Sequence, residues 1–228
     1  VEFLPGDLRA DGEPNFIRDR LCAGSHQSMA VVVALALSRC MATSGSPPPV
    51  CVLGGGGLAL PMALLAAEPS LEVLVVELEG VAIDFALRFF GCAGEQRLTL
   101  VEDDALAFVC RGEARCPSAA LIIDIDFLRG CGPPDLLLSA KFWSPAWKSV
   151  LGRQGAGLVA INAIGAEEGP LLALAAAALA HARALNEEAA LGEGEGPMAA
   201  GVLEPCGAAD RGTWTGFVPR PSVLVLGL

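Results

Sequence analysis

The chain has 228 residues, is 53% apolar with a mean hydropathy of +0.54, and carries a formal net charge of −11. That length suits one well-buried domain, or one domain with a small appendage. The acidic balance argues against nucleic acid as a direct partner, because phosphate binding needs a basic face, and it suits a cationic substrate such as an amine or a basic peptide.

In chain order, Val1 to Leu4, the Pro5-Gly6-Asp7 turn and a charged stretch to residue 20 predict a small β-hairpin. Leu21 to Arg39 is largely apolar and predicts a buried helix. Ser44-Gly45-Ser46-Pro47-Pro48-Pro49 is a breaker, so residues 1–45 form an N-terminal appendage of hairpin plus helix and residues 46–228 the main domain. From there apolar strand-like runs alternate with helical ones. Strands are expected at Val50–Leu53, Glu72–Glu77, Leu98–Val101, Ala119–Asp124, Gly157–Asn162 and Ser222–Leu226. Helices are expected to begin near Leu58, Gly80, Asp104, Pro134 and Glu167, with an alanine-rich helix over Leu171–Leu191. This alternation predicts an α/β fold: a mostly parallel sheet with helices on both faces and right-handed crossovers. Continuous apolar strands fit a sheet covered on both sides.

The longest apolar helical run, Pro170 to Ala180, is about 11 residues, well short of the roughly 20 that span a bilayer, so no membrane partner is expected. Gly192 to Pro197 reads as a loop, and Cys206 to Pro221 as irregular. Eight cysteines without a C-x-x-C pair, beside two histidines, argue against a zinc site, and no metal is expected. Reduced thiols and the lack of a secretory pattern point to the cytoplasm.

The chain's chemistry gathers at predicted strand ends. Val50-Cys51-Val52-Leu53 enters Gly54-Gly55-Gly56-Gly57, and an apolar helical run leaves it. A glycine turn of this kind lets a ligand approach bare backbone N–H groups at a helix start. About 23 residues past Gly54, the next strand ends in Glu77, whose carboxylate can accept from a ribose diol. Ala59 stands where a dinucleotide G-x-G-x-x-G needs its last glycine, and no phosphate-loop motif is present. Glu102-Asp103-Asp104 ends the third strand; a helix N-cap is the plain reading and an adenine amino contact the functional one. Asp124 and Asp126 end the fourth strand and share a face if it stays extended, with Asn162 at the end of the next strand. By pattern alone His26 is an ordinary structural or surface histidine, and Trp143 and Trp147 pack one helix face.

Taken together, these pieces resemble a class I S-adenosylmethionine-dependent methyltransferase of the spermidine-synthase-like branch. The C-terminal domain of the dual (lysine and N-terminal) methyltransferases of elongation factor 1-alpha is the nearest likeness. It is carried by Leu21-Cys22 with His26 and Met29, Val52-Leu53-Gly54 with Gly56-Gly57 and Leu60-Pro61-Met62, Val76-Glu77-Leu78-Glu79, Phe89-Phe90-Gly91, Asp104-Ala105-Leu106 and Ile122-Ile123-Asp124-Ile125-Asp126. The resemblance implies a Rossmann-like, seven-stranded, mostly parallel sheet. It implies S-adenosyl-L-methionine held by His26, Gly54, Gly55, Gly56, Glu77, Leu78, Asp103, Asp104, Ala105 and Asp124. Asp124 would then lie near the reacting centre, and Asp124 or Asp126 would orient the acceptor amine or take its proton. Departures are Leu58 at the third motif glycine, Gly24 at the acid before the histidine, and Arg20 at the tyrosine before Leu-Cys.

The expected activity is methyl transfer to a protein amine, with the N-terminus or a lysine of elongation factor 1-alpha as candidate acceptor and a homodimer as candidate assembly. The alternatives are an aminopropyltransferase, disfavoured by the complete lack of tyrosine, and a catalytically silent S-adenosylmethionine-binding domain.

Overall fold

A computed structural model describes residues 2–8, 14–17, 21, 24–44, 47–112, 118–125, 135–151, 158–162, 173–182, 184, 201–203 and 223–227. Strands β1 (Glu2–Leu8) and β2 (Pro14–Ile17) pair antiparallel. Helix α1 follows over Gly24–Ser44, starting three residues later than its apolar run predicts and running five residues further, and it ends at the first residue of the breaker. Then come β3 (Val50–Leu53), α2 (Ala59–Ala67), β4 (Val73–Glu77), α3 (Gly80–Phe89), β5 (Leu98–Glu102), α4 (Ala105–Cys110) and β6 (Ala120–Ile123). A 3-10 turn over Asp135–Leu138 leads into α5 (Ala140–Leu151), and β7 spans Leu158–Asn162. Residues 173–182 are helical, inside the expected alanine-rich helix. β8 (Gly201–Leu203) was not expected from the sequence; β9 (Val223–Gly227) was, within a residue. The expected helix start at Glu167, the Gly192–Pro197 loop and the Cys206–Pro221 stretch lie outside the described residues.

Strands β5, β4, β3, β6 and β7 lie side by side in that order and are all parallel. Beyond them β9 runs antiparallel along β7, and β8 antiparallel along β9. Side chains alternate across the strands. Cys51, Leu53, Leu121, Ile123, Val159 and Ile161 meet α4, α5 and residues 173–182 on one face. Val50, Val52, Val73, Val75, Ile122 and Ala160 meet α1, α2 and α3 on the other. All residues of β3, β6 and β7 are buried, which is why they read as unbroken apolar runs. Thus α1, expected as part of an appendage, itself packs on the sheet, against β6 and β7. Trp143 and Trp147 are both buried, and each indole N–H is satisfied by a carbonyl, of Leu137 and of Ala178 respectively.

One device left no trace in the sequence. Arg97, paired with Glu95, donates to the carbonyls of Leu65, Glu68 and Pro69 and so closes the C-terminal end of α2. Among the described residues no helix is long and apolar enough to cross a membrane.

Strand order places the site. The chain moves outward from β3 to β4 and β5, then returns to the other side of β3 for β6. The order therefore reverses between β3 and β6, and open α/β sheets bind ligands at the carboxyl ends flanking such a point. The glycine turn leaves β3 there, and Asp124 directly follows β6.

Candidate active site

The glycine turn is tied to both neighbouring strands. Gly54 N donates to Val76 O at 2.8 Å, and Asp124 N donates to Leu53 O at 2.7 Å. Gly54 has φ +89°, and a Cβ there would lie 2.4 Å from the Asp124 carbonyl oxygen. The glycine is required by both conformation and space. At Gly56, with φ +46°, a Cβ would meet nothing within 4 Å, so this part of the turn faces open space. The Phe90 ring lies over Gly57. Leu58 closes the turn through Leu58 N to Gly55 O, and it is fully buried with φ +59°. A leucine here keeps the left-handed backbone that a glycine would adopt freely, at a cost of about 1–2 kcal/mol.

Glu77 reaches into this turn. Its Oε2 accepts from Gly55 N at 2.7 Å and Gly56 N at 2.8 Å, and its Oε1 accepts from Glu79 N at 3.0 Å. Burial pushes this carboxyl up, but the N–H groups of Glu79, Gly56, Gly55 and Leu78 together outweigh it and hold it below its ordinary value of 4.5. The amides of Gly55 and Gly56 therefore face the protein's own carboxylate. A phosphate in their place would meet a fixed negative charge.

At the end of β5, Asp104 caps α4, its Oδ1 accepting from Ala107 N at 2.8 Å. Asp103 accepts from Asp104 N and pairs with Arg111. Glu102 packs against Gly80 at the start of α3, where an anion suits the helix dipole. Ala105 is buried in the first turn of α4, whereas Leu78, beyond the end of β4, is 60% exposed.

The second cluster forms around Asp124. His26, in the first turn of α1, places Nε2 3.0 Å from Asp124 Oδ2. Asn162, ending β7, donates from Nδ2 to Asp124 Oδ1 at 2.7 Å. The structure thus brings together three residues distant in sequence, and His26, an ordinary histidine by pattern, belongs to the strand-end cleft. Asn162 is 2% exposed, and its buried Oδ1 has no hydrogen-bond partner among the described residues. Asp126 lies outside the described residues. Among the described residues no cluster of histidine, cysteine and carboxylate groups could hold a metal ion. A groove of about 920 Å³ runs between α1 and α2, lined by Leu37, Met41, Ala63, Leu64 and Leu71 among others. It is mainly apolar, with Gln27, Ser38 and Glu68 also on its lining, and holds none of the strand-end acids.

No family model and no curated protein sequence matches the chain. Solved structures do match. A crystal structure of human Methyltransferase-like protein 13 in complex with SAH has a TM-score of 0.62 at 19% identity, covering 91% of this chain and 83% of that one. A probable spermidine synthase from Corynebacterium glutamicum has a TM-score of 0.59 at 17% identity, with 95% and 70% coverage. Spermidine synthase from Thermotoga maritima has a TM-score of 0.55 at 13% identity, with 95% and 63% coverage. The chain has the α/β Rossmann-like fold of these methyltransferases and spermidine synthases, built on a parallel sheet.

Proposed function

We propose that this chain is an S-adenosyl-L-methionine-dependent methyltransferase acting on a protein amine. The observation that carries the reading is the Glu77 carboxylate seated on the Gly55 and Gly56 amides at the point where strand order reverses. It disfavours the pyrophosphate of a dinucleotide and favours a ligand with a ribose diol and positive charge. The other strand-end acids, Asp103, Asp104 and Asp124, extend that preference across the cleft.

The residues fit this cofactor. Glu77 Oε2 is committed to the turn, which leaves Oε1 to take a ribose hydroxyl beside the Glu79 N–H. Asp104 spends Oδ1 on its cap and keeps a second oxygen for the adenine amino group, with Asp103, Ala105 and Leu78 bordering the base. Gly54, Gly55 and Gly56 give the methionine portion close approach to backbone, and Gly56 offers the open space for it. His26 and Asp124 border its reactive end. When bound, the cofactor supplies a methyl group on a sulfonium leaving group. The protein's task is then to position a neutral amine and receive its proton. Asp124 and Asp126 are assigned to orienting that amine.

In this reading β8 and β9 complete a seven-stranded class I sheet. The domain boundary expected at residue 45 then shifts upstream: α1 belongs with the methyltransferase domain over 46–228, and the β1–β2 hairpin alone serves as the N-terminal appendage. A cytoplasmic location, a homodimer and elongation factor 1-alpha as substrate belong to the same proposal. Likeness to the human methyltransferase structure supports methyl transfer. The spermidine synthase structures favour a second reading, aminopropyl transfer to a polyamine, against which stands a chain with no tyrosine to surround such an amine.

The test is a paired incubation. One arm holds methyl-labelled S-adenosylmethionine and an N-terminal peptide of elongation factor 1-alpha; the other holds decarboxylated S-adenosylmethionine and putrescine. Label in the peptide is the expected result. Spermidine formation would establish the second reading, and product in neither arm, with no thermal shift from either nucleoside, would remove both.

A further inference from the structure

Two side chains from distant parts of the sequence converge on Asp124, and they change which group can do chemistry. The carboxylate accepts from His26 Nε2 on Oδ2 and from Asn162 Nδ2 on Oδ1. Each oxygen keeps a further lone pair, but the side chain is 16% exposed and protonating it would weaken its charge-assisted bond to His26, which makes Asp124 the poorer proton acceptor. His26 is 24% exposed, lies in the first turn of α1, and has a second ring nitrogen. An ionised carboxylate only accepts, so Nε2 must be the donor. In the neutral ring the lone pair is then on Nδ1.

Asn162 supplies an independent observation. Its amide is turned so that Nδ2 meets the carboxylate, which leaves Oδ1 buried and without a partner among the described residues. An unsatisfied buried acceptor costs about 1–3 kcal/mol. What this orientation secures is a fixed Asp124, and through it a fixed imidazole.

We infer that His26 Nδ1 is the proton acceptor of the site, with Asp124 and Asn162 as positioning residues. This rests on the amine-methylation reading above and deepens it. An amine that gains a methyl group must lose one proton. The N–H bond breaks, its electron pair stays on nitrogen, and the proton bonds to the Nδ1 lone pair. The imidazolium so formed is balanced by the Asp124 carboxylate on its other nitrogen. The partly exposed ring then returns the proton to solvent. An imidazole is by class a stronger base than a carboxylate, and it is better matched to an amine donor.

The test needs no acceptor substrate. Diethyl pyrocarbonate acylates an imidazole nitrogen that has an accessible lone pair, and the chain has only two histidines, His26 and His181. The folded chain is treated with the reagent near pH 7 and read by peptide mass spectrometry, with the urea-unfolded chain as the reference for free histidine. His26 should be modified in the folded chain at a rate within about tenfold of the unfolded reference, and Asp124→Asn should slow it several-fold relative to His181. A His26 that resists modification in the folded wild type overturns the inference, whatever the variant does. Equal rates in wild type and a folded Asp124→Asn chain overturn the positioning role. Calorimetric titration with S-adenosylhomocysteine, run alongside, separates the two levels. Binding with an unreactive His26 sinks this inference alone, and a reactive His26 without binding sinks the methyltransferase reading.

Discussion

Glu77 and Asp124 are carboxylates at strand ends on either side of β3, and both have two oxygens engaged, but by different kinds of group. Glu77 is held by main-chain N–H groups from residues 55, 56 and 79. Asp124 is held by the side chains of His26 and Asn162. A carboxylate fixed by backbone amides is part of the scaffold, and it survives most substitutions around it. One fixed by side chains depends on two other residues, and in return it can pass a charge effect from one to the other. The first arrangement suits holding a cofactor and the second suits proton handling.

The most damaging way to test this contrast is at Gly54, which links the two regions. Gly54→Ala puts a Cβ 2.4 Å from the Asp124 carbonyl oxygen at φ +89°. It should cost about 4 kcal/mol or more and disturb both carboxylates together, visible as a large fall in the denaturation midpoint. A variant as stable as wild type would mean that the turn and the end of β6 are not in contact.

Leu58 tests the Glu77 side alone. Leu58→Ala should cost about 2–5 kcal/mol through lost core packing. Leu58→Gly removes one more carbon yet should be less destabilised than Leu58→Ala by about 1 kcal/mol, because it relieves the left-handed backbone. The reverse order in chemical denaturation would show that Leu58 is unstrained.

Glu77→Gln should cost about 1–3 kcal/mol near neutral pH, since one amide oxygen replaces a charged acceptor of several N–H groups. The pH dependence has a defined sign. Glu77 is held below its ordinary 4.5 in the folded chain, so its stabilisation is present above that value. It is lost as pH falls from about 4.5 through the lower folded-state value, because the unfolded chain binds the proton first. Glu77→Gln should flatten that part of the stability profile, and an unchanged acid slope would contradict the hydrogen-bonded turn.

The smallest expected change is at Asn162. Asn162→Ala deprives Asp124 Oδ1 of a donor but also removes the buried, partnerless Asn162 Oδ1. These effects oppose each other, and the net cost should be about 1 kcal/mol. A loss above about 3 kcal/mol would mean that Asn162 is mainly a packing residue.

The same contrast explains what was legible in the sequence. Glu77 and its turn belong to one βαβ unit, where strand, glycines and acid lie in a short window and their spacing carries the geometry. The buried strands were legible for a similar reason: covered on both faces, Val50–Leu53 and Leu158–Asn162 read as apolar runs. Asp124 and Asn162 were also visible as strand-end residues. That His26 joins them was suggested by the family resemblance alone and not by pattern, because it comes from 98 residues upstream and depends on α1 lying across β6 and β7. The Arg97 contacts were silent because their main partners are backbone carbonyls, which every residue has. Glu77 was legible in place but not in detail: the sequence offered it to a ribose, and the structure shows it first bound to the turn.

The most direct test of the cofactor assignment is calorimetric titration of the chain with S-adenosylmethionine and, separately, with NAD, in wild type and Glu77→Ala. The account predicts saturable binding of S-adenosylmethionine that Glu77→Ala abolishes, and no binding of NAD. Binding of NAD, or S-adenosylmethionine binding untouched by Glu77→Ala, would contradict it.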